Sequence, residues 1–240
     1  MNILIPIAGL GSRFQLKGVE TPKPIIDIKG KTTIERAVES LNIDGKLIFI
    51  TRKYLNNDYN ILLENTLSKL DPNCICIQID FVTEGPASSC LLAENYINNN
   101  DQLLITNCDQ IMTWDAKKFK KFLKQTNNDG VVVTYDASTK KNSYVKLDEN
   151  NLATEFAEKK IISNYSLNGI HWWRKGSDFV ESAKSMISNN IRVNNEFYIS
   201  NTYNQLLKQQ KKIGIYHIDS KEHWPVGTPK DLERYLNENF

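Results

Sequence analysis

The chain has 240 residues, 40% of them hydrophobic, and its 30 basic residues nearly balance 28 acidic ones, for a net charge of +2. This length suits one sizeable domain, and the near-neutral charge argues against a nucleic-acid-binding protein. No apolar run reaches the roughly 18 residues of a membrane span, and the apolar N-terminus is too short for a signal peptide, so we expect no membrane partner and a cytoplasmic location.

The first predicted element is a buried strand that ends at a glycine-rich loop. Apolar residues run from Ile3 to Ala8, and the sequence Gly9-Leu10-Gly11-Ser12-Arg13 follows. Because the glycines lack Cβ, this loop could turn sharply and present successive N–H groups to phosphate oxygens. The forked guanidinium of Arg13 suits phosphate. The prolines on either side of Lys23 would hold that residue in place.

Two better-known phosphate-binding sequences are excluded. A dinucleotide fingerprint needs a third glycine where this chain has Phe14. A P-loop needs a glycine five residues before Gly30 of Gly30-Lys31-Thr32, and Ile25 stands there instead. The loop taken alone would also fit a plain strand-to-helix turn with solvated cations.

Helices and strands then alternate along the chain. Thr32 and Glu35 form a capping box that predicts the start of the first helix. The alternation predicts a parallel sheet covered by helices. No repeat or linker divides the chain, so we predict a single domain over residues 1–240. The predicted elements up to residue 79 are the helix Lys31–Leu41, the strand Leu47–Thr51, the helix Asp58–Leu70 and the strand Ile75–Ile79.

Two further loops follow predicted strands. The loop Phe81–Ser89 precedes a helix expected from Ala87 to Ile97, a position where open α/β sheets tend to bind ligands. The apolar run from Leu103 ends near Asp109, which should lie at the same sheet edge as the glycine loop. A carboxylate there could bind Mg²⁺ or simply cap the next turn.

The remaining elements complete the prediction. They are the helix Asp115–Gln125, the strands Val131–Tyr135, Tyr144–Asp148 and Leu167–Ile170, a helix from Asn194 to Leu207, the strand Gly214–Ile218 and a final helix capped by Thr228. His171 beside two tryptophans indicates packing. No Cys-x-x-Cys pair occurs, and buried free thiols are expected at Cys74, Cys76, Cys90 and Cys108.

Several of these segments together resemble the signature of nucleotidyltransferases that activate sugar phosphates and phosphocholine. They are Gly9-Leu10-Gly11-Ser12-Arg13, Pro22-Lys23-Pro24, Gly30-Lys31 and the ending Trp224-Pro225-Val226-Gly227-Thr228-Pro229. The resemblance implies a Rossmann-like α/β fold with a mixed, mostly parallel sheet flanked by helices. It also implies an enzyme that uses Mg²⁺, joins an NTP to a phosphorylated acceptor and releases pyrophosphate.

The same resemblance assigns site residues. Arg13, Lys23 and Asp109 would be catalytic, with Asp109 holding the metal. The nucleotide would contact Ala8, Gly9, Gly11, Ser12, Arg13, Lys23, Gly85, Ala87, Ser88 and Asp109. The acceptor would contact Glu158, Lys159, Asn168 and Gly169, with Lys159 on its phosphate. Relatives that act on sugar phosphates carry a second metal-binding aspartate where this chain has Pro225, which leaves Glu196, Asp219 and Glu222 as candidates or a single metal ligand.

The nucleotide and acceptor stay open at this point. The length and the ending are similar to cytidylyltransferases of bacterial capsule pathways, which implies CTP and makes phosphoglutamine a candidate acceptor. A phosphorylated sugar is the alternative. A glycosyltransferase is disfavoured because position 111 is Ile and no Asp-x-Asp is formed. A nucleotide-binding protein without catalysis and a homodimeric assembly both stay open.

Overall fold

A mixed nine-stranded sheet runs through the computed structural model, which describes residues 1–240. The strands are β1 (Asn2–Pro6), β2 (Asp27–Ile28), β3 (Lys31–Thr32), β4 (Lys46–Arg52), β5 (Ile75–Ile79), β6 (Leu103–Ile105), β7 (Gln110–Met112), β8 (Gly130–Asp136), β9 (Ser143–Leu147), β10 (Ala153–Glu158), β11 (Tyr165–Trp173), β12 (Ile213–His217) and β13 (His223–Pro225).

Helices cover both faces of this sheet. They are α1 (Ser12–Gln15), α2 (Thr33–Leu41), α3 (Asn57–Leu70), α4 (Pro86–Leu91), α5 (Glu94–Ile97), α6 (Ala116–Gln125), α7 (Gly176–Ser188), α8 (Ile199–Lys208) and α9 (Pro229–Asn239), with short 3-10 turns at Lys23–Ile25 and Ser220–Glu222. None of them combines the length and the apolar character needed to cross a bilayer. The predicted fold class is confirmed.

The order of the strands sets the position of the loops. The parallel half of the sheet is β6-β1-β4-β5, and β11 runs antiparallel beside β6. The long β11 also pairs with β8 and β9, which attaches β12 and β10 to the same sheet. Two small ladders, β13 with β7 and β2 with β3, lie outside it. Because β1 and β6 are parallel neighbours, the loops after them meet at one edge.

The core lies on both faces of the sheet. Ile3 and Ile5 on β1 face one way, into a cluster that includes residues of α2, α3 and α6. Leu4 faces the other way, into a cluster with residues of α4, α7 and α8. This two-sided burial explains why β1 is a continuous apolar run. The capping box predicted from sequence forms as expected, with Glu35 N donating to the Thr32 side chain.

Two predictions about helices are corrected by the structure, and one helix was missed. The helix predicted over Ala87–Ile97 is two helices, α4 and α5, separated by tighter i to i+3 hydrogen bonds at Leu92 and Ala93. The helix predicted from Asn194 begins only at Ile199. Asn194 and Asn195 have φ of +49° and +64°, so they form a left-handed turn inside a Val193–Glu196 bridge. The helix α7 was not predicted.

The cysteine prediction holds for Cys90 and Cys108, which are buried free thiols. It is wrong for Cys76, which is exposed, and for Cys74, which is half-buried. Both lie at or beside β5, the outer strand of the parallel half, on the face towards α3, where Cys74 Sγ donates to Leu67 O. Because β5 is an edge strand with a neighbour on one side only, these thiols are covered incompletely.

Two of the three histidines should make the fold sensitive to acid. His171 and His223 are each 6% exposed, and burial lowers their pKa from 6.5 to about 3 and about 4. Because the unfolded chain takes up these protons first, stability is retained above pH 6.5 and is lost as the pH falls towards 4. At pH 5 each histidine should cost about 2 kcal/mol of unfolding free energy. Urea unfolding at pH 7.5 and pH 5 measures the loss.

The matched control for this prediction is the third histidine. His217 is exposed at the end of β12, so His217→Gln should keep the full acid sensitivity. In the double variant His171→Gln, His223→Gln, the difference in unfolding free energy between pH 7.5 and pH 5 should shrink by about half or more. An unchanged difference in that double variant would contradict the assignment.

Candidate active site

The glycine loop packs against the segment that carries Lys23. Gly11 has φ +66°, a left-handed conformation that glycine adopts without strain, and α1 begins directly after it. A Cβ on Gly11 would lie 3.5 Å from Cβ of Lys23, so the two segments are in contact. Gly9 is exposed, and a Cβ built there would meet no atom within 4 Å. The open face of the loop is therefore accessible to a ligand, next to Ala8 and Ser12.

Lys23 and Asp109 form an ion pair between the loops after β1 and β6. Lys23 Nζ lies 2.9 Å from Asp109 Oδ2, and the two side chains are 21% and 19% exposed. Burial disfavours both charged forms, but the attraction between the two opposite charges outweighs this effect at each group. The pKa of Lys23 is raised and the pKa of Asp109 is lowered. The charge of the exposed Arg13 also acts on the pKa of both groups.

The C-terminal segment closes over the same carboxylate. Val226 N donates to the backbone oxygen of Asp109 at 2.8 Å, and Pro225 is in register with Gln110 across the β13–β7 ladder. A Cβ on Gly227 would lie only 2.3 Å from Asp109 Oδ2. Pro225 thus stands beside Asp109, at the place where the resemblance implied a second metal ligand, and offers no donor atom.

Gly227→Ala is expected to displace the Asp109 carboxylate from Lys23 and to lower turnover strongly. The added methyl group cannot fit 2.3 Å from Oδ2 without moving that side chain. Misplacing a catalytic group by about 1 Å commonly costs on the order of a hundredfold in rate. The measurement is turnover per folded molecule, with folding checked by circular dichroism.

Gly214→Ala is the matched control for this steric effect. Its Cβ would lie 2.0 Å from Asn128 Nδ2, a comparable collision on β12. It should reduce stability but leave turnover per folded molecule near that of the unmodified chain. Equal losses of turnover in both variants would show that the effect of Gly227→Ala is general damage.

The loop before α4 is held by the backbone of Phe197. Gly85 has φ +128°, and a Cβ there would lie 2.5 Å from Phe197 N. Ala87 N donates to Phe197 O at 3.0 Å. Ser88 Oγ is buried and has no hydrogen-bond partner, so a polar group is left unsatisfied beside this loop. Gly85, Ala87 and Ser88 are the residues of this loop that were assigned to the nucleotide. The hydroxyl of Ser88 has no hydrogen-bond partner within the protein.

Glu158 is held at the end of β10 by hydroxyl groups from two other elements. Ser143 Oγ, opposite Glu158 in the β9–β10 ladder, donates to Oε2, and Ser200 Oγ on α8 donates to the same atom at 2.9 Å. Burial raises the pKa of Glu158, although these hydrogen bonds and Lys159 oppose the shift. The carboxylate therefore has a fixed orientation at the rim of the sheet.

Lys159 follows directly and has φ +55°, an uncommon conformation for a residue with a side chain. Its Nζ donates to Tyr198 Oη at 2.5 Å, and Tyr198 in turn donates to Glu196 Oε2. Arg13 in the glycine loop is among the charges that act on the pKa of Tyr198.

The other two predicted acceptor residues lie in the bulge of β11. Asn168 is only 4% exposed, and its Oδ1 accepts from Ile170 N at 2.9 Å, so this side chain is not open to a ligand. Gly169 has φ +98°, and a Cβ there would lie 2.2 Å from Asn107 Nδ2. The bulge therefore supports the loop that carries Asp109, and its glycine allows the close approach.

The three candidates for a second metal ligand are used elsewhere. Asp219 and Glu222 form a capping box on the short 3-10 turn, and Glu196 accepts from Tyr198. No group of three or more His, Cys, Asp or Glu side chains that could hold a metal occurs in the chain. Asp109 remains as a single carboxylate. That donor set fits Mg²⁺, which often takes one or two carboxylates and completes its shell with phosphate oxygens and water.

Sequence reasoning missed Ser143, Tyr198, Ser200 and Gly227. The position of Ser143 opposite Glu158 could have been found from the hairpin register. Tyr198 and Ser200 lie 39 and 42 residues from their partners and carry no local signal.

A family model described as a MobA-like NTP transferase domain matches residues 3–164. Among curated proteins, the bifunctional protein GlmU of Methanocaldococcus jannaschii is 25% identical over 97% of this chain and 52% of its own length. The mannose-1-phosphate guanylyltransferase catalytic subunit beta of Drosophila melanogaster is 24% identical over 95% of this chain and 60% of its own length. The chain thus spans about half to three fifths of the length of these relatives.

Solved structures share the fold at low identity. A nucleoside-diphosphate-sugar pyrophosphorylase from Vibrio cholerae RC9 superposes with a TM-score of 0.84 at 20% identity, covering 98% of this chain and 99% of that chain. An inositol-1-phosphate CTP transferase from T. maritima gives a TM-score of 0.75 at 16% identity, covering 99% and 96%.

Proposed function

Because the chain belongs to the MobA-like NTP transferase domain family, we propose that it is a Mg²⁺-dependent nucleotidyltransferase. It transfers NMP from an NTP to a phosphorylated small molecule and releases pyrophosphate. The observation that carries this proposal is the ion pair of Lys23 and Asp109, 2.9 Å apart, between the glycine loop and the end of β6. A second lysine, Lys159, lies outside that pair and donates to Tyr198.

The two cationic centres fit a transfer between two phosphates. An oxygen of the acceptor phosphate attacks the α-phosphorus in line, and the bond to pyrophosphate breaks as the new P–O bond forms. No protein nucleophile is required, since positioning and charge stabilisation carry such transfers. Arg13 and Lys23 stabilise the charge that develops on pyrophosphate, and Lys159 holds the acceptor phosphate.

Asp109 would hold Mg²⁺ in this reaction. The metal would supply positive charge to the triphosphate when bound. In the structure the carboxylate is paired with Lys23, which keeps it ionised and ready to accept a cation. We propose a site with one protein carboxylate, because Pro225 offers no donor and the other acidic candidates are hydrogen-bonded elsewhere.

We propose CTP as the nucleotide, and capsular or surface polysaccharide synthesis as the setting. Support comes from the resemblance of the Trp224–Pro229 ending to capsule-pathway cytidylyltransferases, with phosphoglutamine as the proposed acceptor. A sugar 1-phosphate is the second candidate, and the name of the Drosophila melanogaster relative favours it. We further propose that residues 1–240 act as one domain, since β12 near the C-terminus pairs with β8 in the main sheet.

A pyrophosphate-release screen tests the proposal. The four NTPs are each combined with phosphoglutamine, phosphocholine and a set of sugar 1-phosphates, in the presence of Mg²⁺. We expect release with CTP and one acceptor class. Transfer from a nucleotide sugar without pyrophosphate would indicate a glycosyltransferase. NTP binding with no release for any acceptor would indicate a nucleotide-binding protein without catalysis.

A further inference from the structure

One short segment touches both halves of the site. Phe197 N donates to Glu84 O at 2.8 Å, and Phe197 O accepts from Ala87 N at 3.0 Å, so this residue fixes the loop assigned to the nucleotide. The next residue, Tyr198, contacts Lys159 on the acceptor side. The position of Tyr198 is therefore determined by the buried Phe197, which is 1% exposed.

Tyr198 joins a polarised chain of hydrogen bonds. Lys159 Nζ donates to its oxygen at 2.5 Å, the phenol donates to Glu196 Oε2, and the ammonium lies 4.7 Å from the ring centroid. Burial, and then Glu196, raises the pKa of Tyr198, so the phenol keeps the proton that it donates. Glu196 is fixed in turn by the Val193–Glu196 bridge.

A lysine that binds phosphate benefits from such a restraint. Its four-carbon stem has many rotamers, and ordering it on binding costs conformational entropy. A group that is already ordered binds more tightly because this cost is met before the ligand arrives. The left-handed φ of +55° at Lys159 fixes where the stem begins, and Tyr198 fixes where it ends.

We propose that Tyr198 is a positioning residue for the acceptor phosphate, with its hydroxyl, oriented by Glu196, holding the ammonium of Lys159 in place. This inference rests on the proposed role of Lys159 in binding that phosphate. Tyr198 acts through Lys159 and makes no contact of its own with the acceptor.

The test uses the full chain labelled with ¹³C-lysine and inorganic phosphate as the probe. The Cε–Hε signal of Lys159 is identified by its loss in Lys159→Ala, and phosphate is titrated against it. Tyr198→Phe removes only the hydroxyl group and should raise the phosphate Kd about three- to tenfold. Glu196→Gln should raise it less, because the amide oxygen still accepts the hydrogen bond but lacks the charge.

Tyr96→Phe is the matched control. Tyr96 lies on α5 with its ring near Lys46, at the start of β4 and the opposite end of the sheet. The phosphate Kd of the Tyr96→Phe variant should therefore equal that of the unmodified chain. An unchanged Kd in Tyr198→Phe would overturn the positioning role and leave the proposed function standing. A Lys159 signal that phosphate does not move would overturn both this role and the acceptor-phosphate assignment, while pyrophosphate release tests the transfer reaction separately.

A double-mutant cycle with the acceptor found in the screen separates positioning from contact. Tyr198→Phe should raise the acceptor KM in the unmodified chain and have no further effect in Lys159→Ala, because its partner is gone. The NTP affinity should stay unchanged in both backgrounds. The same increase in KM in both backgrounds would overturn the proposal, since Tyr198 would then contact the acceptor directly.

Discussion

Asp109→Asn is expected to lower turnover by on the order of a thousandfold or more, because the amide keeps the shape of the side chain but loses the charge that pairs with Lys23 and that we propose binds Mg²⁺. The side chain lies in the loop after β6, 2.9 Å from Lys23 Nζ, with Gly227 directly against it. No neighbouring carboxylate replaces it, since Pro225 occupies the nearby strand. Turnover is measured by pyrophosphate release at saturating NTP and acceptor.

The same substitution should also reduce stability, but the protein should still fold. Lys23 would be left without its counter-ion at 21% exposure. Breaking a partly buried ion pair of this kind should cost about 1–3 kcal/mol of unfolding free energy, less than for a fully buried pair. Asp115→Asn is the control, since Asp115 caps α6 and asparagine caps a helix equally well. Near-normal turnover of Asp109→Asn with a native circular-dichroism spectrum would contradict the metal assignment.

Lys159→Ala is expected to raise the acceptor KM about tenfold to a hundredfold, the usual effect of removing one charge-assisted phosphate contact of roughly 1.5–3 kcal/mol. Its affinity for NTP should stay close to that of the unmodified chain, because Lys159 contacts Tyr198 and not the Lys23–Asp109 pair. Lys23→Ala should instead weaken both NTP use and turnover, since we propose that this cation acts on the leaving pyrophosphate. Calorimetry with NTP and steady-state kinetics with varied acceptor distinguish the two.

Lys160→Ala is the control for Lys159→Ala. Lys160 is the next residue in the chain and is exposed, so its removal changes the net charge equally without touching the cluster. It should leave the acceptor KM and the NTP affinity unchanged. If Lys159→Ala lost NTP affinity and kept its acceptor KM, the acceptor phosphate would have to bind elsewhere.

The sequence by itself determined the features that depend on neighbours along the chain. The apolar run before Gly9 predicted β1 because a strand buried on both faces is continuously hydrophobic. The capping box at Thr32 and the cap at Thr228 marked two helix starts, since the capping hydrogen bonds join residues that are three apart in the chain. The edge shared by the glycine loop and Asp109 also followed, because loops after parallel strands meet at the same edge.

Only the tertiary structure decided the features that depend on which strands lie side by side. The long β11 pairs with β6, β8 and β9, and this pairing brings β9 and β10, with Ser143 and Glu158, to the edge that carries Asp109. Tyr198 reaches Lys159 across 39 residues, and Gly227 reaches Asp109 through the β13–β7 ladder. These contacts are fixed by packing and sheet order, which leave no periodic pattern in the sequence. The left-handed turn at Asn194 and Asn195 also kept the role of Tyr198 from being predicted, because the polar and aromatic residues after the turn resembled the first turn of a helix.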